Sequence, residues 1–294
     1  MHPFVIHNDA LLPIEQCRLS PGQAGVINGW GLFTTARTYR GFPFRLDKHF
    51  ERLERDARLL EIPLPLTFEQ VRERVMRLSE ANHLDDACVR IYFLHNKIGI
   101  WKSNEAFPTV DLVMYSLDTP TRSGPTQLAL FAHGRYSAHP LTGSKVTSWL
   151  NNAWMVETQA HHRGFDDVLL LNERDELAEC TAANVYVVKD GKTSTPPLKA
   201  GCLAGVSRLT LLELAAKAGT PVTERPLSKD ELYAADEVFI TSTTRQVQPV
   251  DRVEDHQWKA PGPVTGKFAK MFDDYVKDYI GKLADSSHKV ASTR

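Results

Sequence analysis

The sequence has 294 residues, with 35 Lys and Arg against 36 Asp and Glu, so its formal net charge is −1. That balance argues against a general nucleic-acid-binding protein, and a hydrophobic content of 42% argues against a disordered chain. The four cysteines form no CxxC pair, so we expect free thiols, a cytoplasmic protein and no metal site. No apolar run approaches the roughly 18 residues of a membrane span, and we expect neither a span nor a signal peptide.

The first part of the sequence has the periodicities of a mixed α/β domain. Apolar residues recur every three or four positions over 47–60, which predicts a helix with Asp47 as its N-cap. The run Thr67–Gln70 has the form of a capping box and predicts the start of a second helix. Alternation from Cys88 to Leu94 predicts a strand, and the segment 110–117 predicts another.

The second part alternates strands and helices. Its predicted elements are helix 149–163 ending at Gly164, strands 168–171 and 184–188, helix 209–218 ending at Gly219, a short helix after a capping box at Ser228–Glu231, strand 237–241 and helix 264–283. Turn-forming residues are concentrated between the two parts, at 119–125. We therefore predict a small N-terminal domain over 1–118, a linker over 119–133, a larger C-terminal domain over 134–285 and a disordered tail over 286–294.

Five separated segments place polar or cationic residues beside turns. Lys145 stands among small residues at the mouth of a helix, and it is either a solvated lysine or a reactive amine. Glu179 lies in an apolar run, where a carboxylate needs a partner, so it is an N-cap, one member of an ion pair or a functional carboxylate. Arg52 lies beside the apolar face of its helix, where a guanidinium requires an anionic partner.

The other two segments offer groups for an anion. Gly201–Arg208 is a glycine turn that opens into a helix. The amides of that first turn suit a phosphate, although an ordinary helix start has the same form. The strand predicted over 237–241 ends in consecutive hydroxyl residues, Thr241 to Thr244. Each of these signals is weak by itself, and their order along the chain is the stronger observation.

In that order, the segments resemble the fold-type IV pyridoxal-phosphate enzymes: branched-chain aminotransferases, D-amino-acid aminotransferases and aminodeoxychorismate lyase. The resemblance extends from about Asn28 to Val264. Four motifs match: Gly-x-x-x-Phe with Phe33, His-x-x-Arg-Leu with His49 and Arg52, Glu-x-x-x-x-Asn with Glu179 and Asn184, and Leu-x-Gly-x-Thr/Ser-Arg with Gly205 and Ser207. Two single residues also match, Lys145 and Thr243. The resemblance implies a mixed α/β (α+β) fold of two domains, like that of D-amino-acid aminotransferase, with the cofactor between them.

The resemblance also implies a role for each residue. Lys145 would form the Schiff base with pyridoxal 5'-phosphate and move the substrate proton, and Glu179 would keep the pyridine nitrogen protonated. The other implied cofactor-binding residues are Arg52, Asn184, Gly205, Val206, Ser207 and Thr243, and the implied substrate-binding residues are Arg90 and Thr244. Trp30, Phe33, Tyr92 and Trp101 are candidate walls of the substrate pocket, with packing in the core as the alternative for each. An amino donor and a 2-oxo acid would react by a ping-pong mechanism in a homodimer.

Departures from the family pattern bear on the substrate. Thr34 stands where the family usually has Glu, and Cys88 stands where the branched-chain enzymes usually have Tyr. The segment 95–101 lacks the arginine of the D-amino-acid enzymes, and the segment after Lys145 is closer in length to those of the lyase and the D-amino-acid enzymes than to that of the branched-chain enzymes. We predict a transaminase for a hydrophobic or branched-chain amino acid or an amine. The alternatives are aminodeoxychorismate lyase, then D-amino-acid aminotransferase or a non-catalytic binding protein of the same fold.

Overall fold

The structure, a computed structural model, describes residues 1–19, 24–96, 108–120 and 124–291. Trp101 therefore lies outside the described residues. The chain divides into two compact units. The first comprises Met1–Pro120, Lys145–Trp149 and Val276–Arg294, and the second comprises Thr121–Ser144 and Leu150–Tyr275. The segment that carries Lys145 thus belongs to the first unit, although it lies beyond the predicted boundary in the sequence.

The first unit is built on an antiparallel sheet. Its elements are β1 (Phe4–His7), β2 (Ala10–Pro13), α1 (Ala24–Ile27), β3 (Gly31–Tyr39), β4 (Phe42–Pro43), α2 (Leu46–Leu59), α3 (Phe68–Ala81), β5 (Ala87–His95) and β6 (Val110–Asp118). In the described part of this unit, six strands have the order β2-β1-β6-β5-β3-β4. Val89, Ile91 and Phe93 on β5 are fully buried, which confirms the face that their alternation predicts.

The two long helices of this unit begin differently. Helix α3 begins at the predicted capping box, in which Thr67 and Gln70 exchange side-chain and backbone hydrogen bonds. Helix α2 begins at Leu46 with a left-handed Arg45 at its N-cap, so the N-cap role predicted for Asp47 is wrong. Leu46 is buried, and burial of its side chain outweighs the preference for Asp at a helix start. Asp47 lies instead in the first turn, where its charge suits the helix dipole.

The second unit holds a larger, mixed sheet. The remaining elements of the chain are β7 (Thr126–Phe131), α4 (Trp149–His162), β8 (Asp167–Leu171), β9 (Leu177–Cys180), β10 (Asn184–Lys189), β11 (Lys192–Thr195), α5 (Val206–Lys217), β12 (Thr223–Glu224), α6 (Lys229–Tyr233), β13 (Glu237–Ser242), β14 (Gln246–Val253), β15 (His256–Gln257) and α7 (Pro263–Ala291). Over the ranges described, the order is β12-β11-β10-β13-β14-β7-β8-β9, and β15 pairs with β14. Leu169, Val185, Ile240 and Val250 from its central strands form part of one buried core.

Two of the predicted boundaries differ from the structure. The linker predicted over 119–133 contains β7, which pairs in parallel with β14 and β8 at the centre of the sheet. The tail predicted as disordered over 286–294 is helical as far as Ala291. No Gly or Pro follows Leu283 to end α7, and extending an existing helix needs no new nucleus. Residues 292–294 lie outside the described part.

The predicted ends of α4 and α5 are confirmed. Gly164 and Gly219, which follow these helices, have φ angles of +82° and +69° and so adopt the left-handed conformation expected of a helix-ending glycine. Among the described residues, no helix combines the length and the apolar character needed to span a membrane.

Candidate active site

Lys145 is fixed beside the first residues of β3. The N–H of Phe33 donates to the Lys145 carbonyl at 3.0 Å, and the N–H of Thr147 donates to the Gly31 carbonyl at 3.0 Å. β4 pairs with the far end of β3, so this segment extends the sheet where the strand edge is open. The backbone of Lys145 is thus held by the strand that carries Phe33.

A buried carboxylate on α2 also holds Lys145. Asp56 Oδ2 accepts the N–H of Lys145 at 2.9 Å, and Asp56 Oδ1 pairs with the Arg55 guanidinium at 2.6 Å. The Asp56 side chain is 1% exposed and that of Arg55 is 45% exposed. Both backbone polar groups of Lys145 are therefore bonded, one to β3 and one to α2, and the two elements together fix its position.

One aromatic ring, that of Phe33, lies next to two cations. Lys145 Nζ is 4.6 Å from the ring centroid, and Arg90 Cζ is 5.3 Å from it. Tyr92 stacks on Phe33 with ring centroids 5.4 Å apart, and Tyr115 stacks on Tyr92 at 5.7 Å. Arg90 Nε is buried and has no hydrogen-bond partner among the described residues. An amine and a guanidinium with a buried donor thus share one aromatic wall.

Arg52 lies on the face of α2 that meets β3. Its Nη2 donates to Thr34 Oγ1 at 2.9 Å, and Thr34 Oγ1 is 2.8 Å from His49 Nδ1. Burial, followed by the charges of Arg52, Lys145 and Arg45, lowers the pKa of His49 well below its usual value of 6.5. His49 is therefore neutral, and the Thr34 hydroxyl is hydrogen-bonded to its Nδ1 while the Thr34 oxygen accepts from Arg52.

In the second unit, Glu179 is buried between two donors. Arg135 Nη2 donates to Glu179 Oε1, and the N–H of Leu203 donates to Oε2 at 2.9 Å. The side chains of Arg135 and Glu179 are each 6% exposed. An ion pair is one of the alternatives that the sequence leaves open for Glu179, and the structure contains that pair. Two donors, one of them charged, suit an ionised carboxylate.

Leu203 is held on both of its backbone groups. Its N–H donates to Glu179, and its carbonyl accepts from Asn184 Nδ2 at 2.9 Å. The oxygen of that amide, Asn184 Oδ1, would lie 2.3 Å from a Cβ built at Gly205. The two residues of the Glu-x-x-x-x-Asn pattern therefore clamp the glycine turn, and a residue with a Cβ does not fit at 205. The resemblance implies that Asn184 binds the cofactor, and in the structure its side-chain amide donates to the Leu203 carbonyl of this turn.

Helix α5 begins directly after that turn. Gly205 is its N-cap, and no side chain caps the helix. The first helical residues are Val206 and Ser207, and a helix start without a side-chain cap presents amide donors and a positive dipole end to an anion. Arg208, the last residue of the motif, donates to the Pro196 carbonyl at 3.0 Å and contacts Glu224 at 2.6 Å, so its side chain serves the fold.

The loop between β13 and β14 carries Thr243 and Thr244. Strand pairing sets Asn184 at the start of β10 opposite Thr241 near the end of β13. The loop therefore begins close to the start of β10. Asn184 thus pairs with the strand that leads to these hydroxyl groups and bonds the glycine turn at Leu203.

The sequence missed two residues that position these groups: Asp56 and Arg135. The spacing that singled out Arg52 could have identified Asp56, because Asp56 lies one helical turn further along the same face of α2. Arg135 has no such local signal. Trp30, a candidate substrate residue, precedes β3 and is half-buried, and its carbonyl accepts the N–H of His95 at 2.9 Å. The described residues include no group of three or more metal-ligating side chains.

Comparisons with known proteins define the family. The family model described as amino-transferase class IV matches residues 31–253. A branched-chain-amino-acid aminotransferase from Pseudomonas aeruginosa is 28% identical over 261 residues, 84% of this chain and 84% of that protein. A D-alanine aminotransferase from Bacillus licheniformis is 28% identical over 265 residues, 89% of this chain and 93% of that protein.

A solved structure agrees with these relatives. The branched-chain aminotransferase from Thermoproteus uzoniensis, crystallised with norvaline, superposes with a TM-score of 0.83 at 26% identity and covers 93% of this chain and 94% of that one. The chain therefore belongs to the class IV aminotransferases. It is a transaminase, and the mixed α/β fold predicted from the resemblance is confirmed.

Proposed function

We propose that this aminotransferase works with pyridoxal 5'-phosphate and takes the amino group from a hydrophobic or branched-chain amino acid, with a 2-oxo acid as acceptor. The observation that carries the proposal is the arrangement at the Phe33 ring. Lys145 Nζ and Arg90 Cζ lie 4.6 and 5.3 Å from its centroid. An amino acid could present its reacting nitrogen near the amine and its carboxylate to the guanidinium, with its side chain against the aromatic wall.

The side chains present fit the cofactor. Its phosphate suits the start of α5, which has no side-chain cap and follows a glycine where no Cβ fits. Its ring nitrogen suits the buried carboxylate of Glu179, and its aldehyde suits the amine of Lys145. The residues that we propose for the phosphate are Arg52, Gly205, Val206, Ser207 and Thr243. Asn184 contributes by holding the turn at Leu203.

When bound, the cofactor supplies an electron sink for the bond that breaks at the substrate Cα. The Lys145 amine takes the proton from Cα and later returns a proton, acting as base and then as acid. Glu179, with Arg135 and the Leu203 N–H at its oxygens, holds a proton on the ring nitrogen. Arg90 orients the substrate carboxylate, which makes the proton transfer a positioned step.

The choice of a hydrophobic substrate has two supports. Phe33, Tyr92 and Tyr115 form a continuous stack beside Arg90. The Thermoproteus relative was crystallised with norvaline, and the Pseudomonas relative is named for branched-chain amino acids. The Bacillus relative, at the same identity as the Pseudomonas one, is named for D-alanine. Identity alone does not separate these substrates, and the experiment below includes both.

The experiment begins with the colour of the purified protein. We expect the wild type to be yellow and Lys145→Ala to lose that absorbance, while replacing an exposed lysine, Lys192→Ala, leaves it unchanged. Leucine, isoleucine or valine with 2-oxoglutarate should then yield glutamate. Turnover of D-alanine alone would contradict the substrate class, and pyruvate release from aminodeoxychorismate without a 2-oxo acid would favour the lyase. A colourless protein that pyridoxal phosphate cannot reconstitute would overturn the proposal.

We also propose that the enzyme is a homodimer in the cytoplasm. The resemblance to the fold-type IV enzymes supports the dimer. The free cysteines, of which Cys88, Cys180 and Cys202 are buried, support a reducing compartment. Light scattering of the purified chain tests the first statement, and cell fractionation tests the second.

A further inference from the structure

A buried ion pair in the second unit joins two of the segments to which we assign cofactor contacts. Asp167, the first residue of β8, is fully buried. Its Oδ2 pairs with Arg245 Nη2 at 2.6 Å, and the Arg245 side chain is 2% exposed. Its Oδ1 accepts the Thr181 hydroxyl at 2.5 Å and the N–H of Val168 at 2.7 Å. One carboxylate thus contacts its own strand and two other segments.

Both of those segments adjoin proposed cofactor-binding residues. Thr181 follows β9, the strand that carries Glu179. Arg245 closes the loop 243–245, which carries the proposed phosphate hydroxyl. β7 lies between β14 and β8 in the sheet, so the Arg245 side chain spans one strand to reach Asp167. The loop 243–245 and the turn that follows β9 are connected through the Asp167 carboxylate.

A buried ion pair is a weak source of stability. Removing two charges from water costs much of what their attraction returns, and apolar side chains of similar volume often stabilise a core equally well. Its geometric effect is more specific, because a guanidinium that is bonded to a fixed carboxylate holds the loop that carries it. The backbone N–H of Arg245 also donates to Ser242 Oγ at 3.2 Å, which orders the loop from within.

We infer that Asp167 is a positioning residue. Through Arg245 and Thr181 it sets the loop 243–245 against the turn that follows β9, next to Glu179, so that the groups proposed for the phosphate and for the ring nitrogen are held at a fixed separation. This inference rests on the proposed use of pyridoxal phosphate. Its consequence is that the phosphate group contributes to binding only while the loop is held.

The test separates the phosphate from the rest of the cofactor. The apoenzyme is titrated with pyridoxal 5'-phosphate and with pyridoxal, which lacks the phosphate, and modification of Lys145 is located by borohydride reduction and peptide mass spectrometry. The quantity of interest is the ratio of the two dissociation constants. The principal variant is Asp167→Asn with Arg245→Met, because it removes both charges together and leaves no unpaired charge in the core. The single variant Asp167→Asn is measured beside it.

The matched control is Asp236→Asn, which breaks a half-exposed ion pair with Lys189 at the far end of β10. We expect the wild type and this control to prefer the phosphorylated compound by the same factor. In the folded double variant that preference should fall about tenfold, the equivalent of one charge-assisted hydrogen bond. A double variant that unfolds like the wild type and keeps the full preference would overturn the inference. A wild type that binds neither compound would instead contradict the proposed function.

Discussion

The carboxylate of Asp56 accepts the backbone N–H of Lys145 at 2.9 Å. Helix α2, which carries Asp56, also carries Arg52, one turn earlier on the same face. The backbone of Lys145, whose amine we propose to react, and the guanidinium proposed to bind the phosphate are therefore connected through one helix and one hydrogen bond. A local movement of α2 would displace both groups together.

Removing this acceptor tests its importance. We expect Asp56→Ala to lower the free energy of unfolding by about 1–3 kcal/mol, because it leaves a buried N–H without a partner. Asp56→Asn keeps an oxygen at that place and loses only the ion pair with a half-exposed arginine, so its cost should stay below about 1 kcal/mol. Urea unfolding measures both values. Equal losses in the two variants would show that the bond to Lys145 does not hold this segment.

The same pair of variants should separate in catalysis. If Asp56 positions the amine, Asp56→Ala lowers kcat while KM for the amino acid changes little, because substrate binding is retained and proton transfer is misaligned. Asp56→Asn should keep most of the wild-type kcat. Steady-state rates with the preferred amino acid provide the comparison, and a rise in KM at constant kcat would contradict the positioning role.

The clamp on the glycine turn predicts a specific coupling. A Cβ at 205 would lie 2.3 Å from Asn184 Oδ1, which is held in place by the bond from Asn184 to Leu203. We expect Gly205→Ala to destabilise the protein by about 1–3 kcal/mol and to cost less in an Asn184→Ala background, where the clash is absent. A double-mutant cycle from denaturant unfolding measures the difference.

A second glycine provides the control for this cycle. Gly266 lies in α7, and apart from its own helix backbone no atom of the described residues lies within 4 Å of a built Cβ. Gly266→Ala should therefore stabilise the protein by about 0.5–1 kcal/mol through the conformational entropy of glycine. Additive effects at 184 and 205 would mean that Asn184 moves aside without loss, and the clamp would then have little energetic weight.

The residues predicted from the sequence differ from those that it missed in whether a short motif contains them. Glu179, Asn184 and Gly205 stand in short motifs, although Glu179 and Asn184 act through partners far away in the chain, Arg135 and Leu203. Asp167 stands in no such motif, and its contact with Arg245 forms only in the folded chain. Asp56 shares a helix face with Arg52, but its bond to Lys145 also forms only in the folded chain.

The helices and strands follow the same rule: a signal within a few consecutive residues predicts them, and one that depends on tertiary packing does not. The start of α3 was predictable because its capping box lies within four consecutive residues. The start of α2 was not, since the burial of Leu46 depends on tertiary packing. The turn-forming residues at 119–125 predict a linker. They do not indicate that β7 follows, because its neighbours in the sheet, β14 and β8, lie later in the sequence.

Thiol reactivity offers a test of the core around Glu179. Burial raises the pKa of Cys180 well above its usual value and that of Cys202 to about 12, so neither is an effective nucleophile at neutral pH. We expect the half-exposed Cys17 to react first with a thiol reagent, and Cys180 and Cys202 to react only after unfolding. Denatured protein should titrate four thiols. Rapid labelling of Cys180 in the native protein would contradict the burial of the end of β9, next to Glu179.

His49 predicts how stability depends on pH. Its pKa is lowered well below 6.5 by burial and by three neighbouring cations, so it stays neutral in the folded state. In the unfolded chain its ordinary value of 6.5 applies, and the unfolded state therefore binds more protons at acidic pH. Stability from this residue is complete above pH 6.5 and falls as the pH decreases, by at most about 1.4 kcal/mol for each pH unit.

The variant His49→Gln removes this titration and keeps an amide that can hydrogen-bond to the Thr34 hydroxyl. Its free energy of unfolding should therefore change less between pH 6.5 and 5 than that of the wild type, by at most about 1.4 kcal/mol for each pH unit. His162→Gln, which makes the same substitution at an exposed position on α4, is the matched control. Urea unfolding at several pH values gives the slopes. If His49→Gln and the wild type have the same slope, His49 takes up a proton in the folded protein as readily as in the unfolded chain, which contradicts the effect expected of its burial and of the three neighbouring cations.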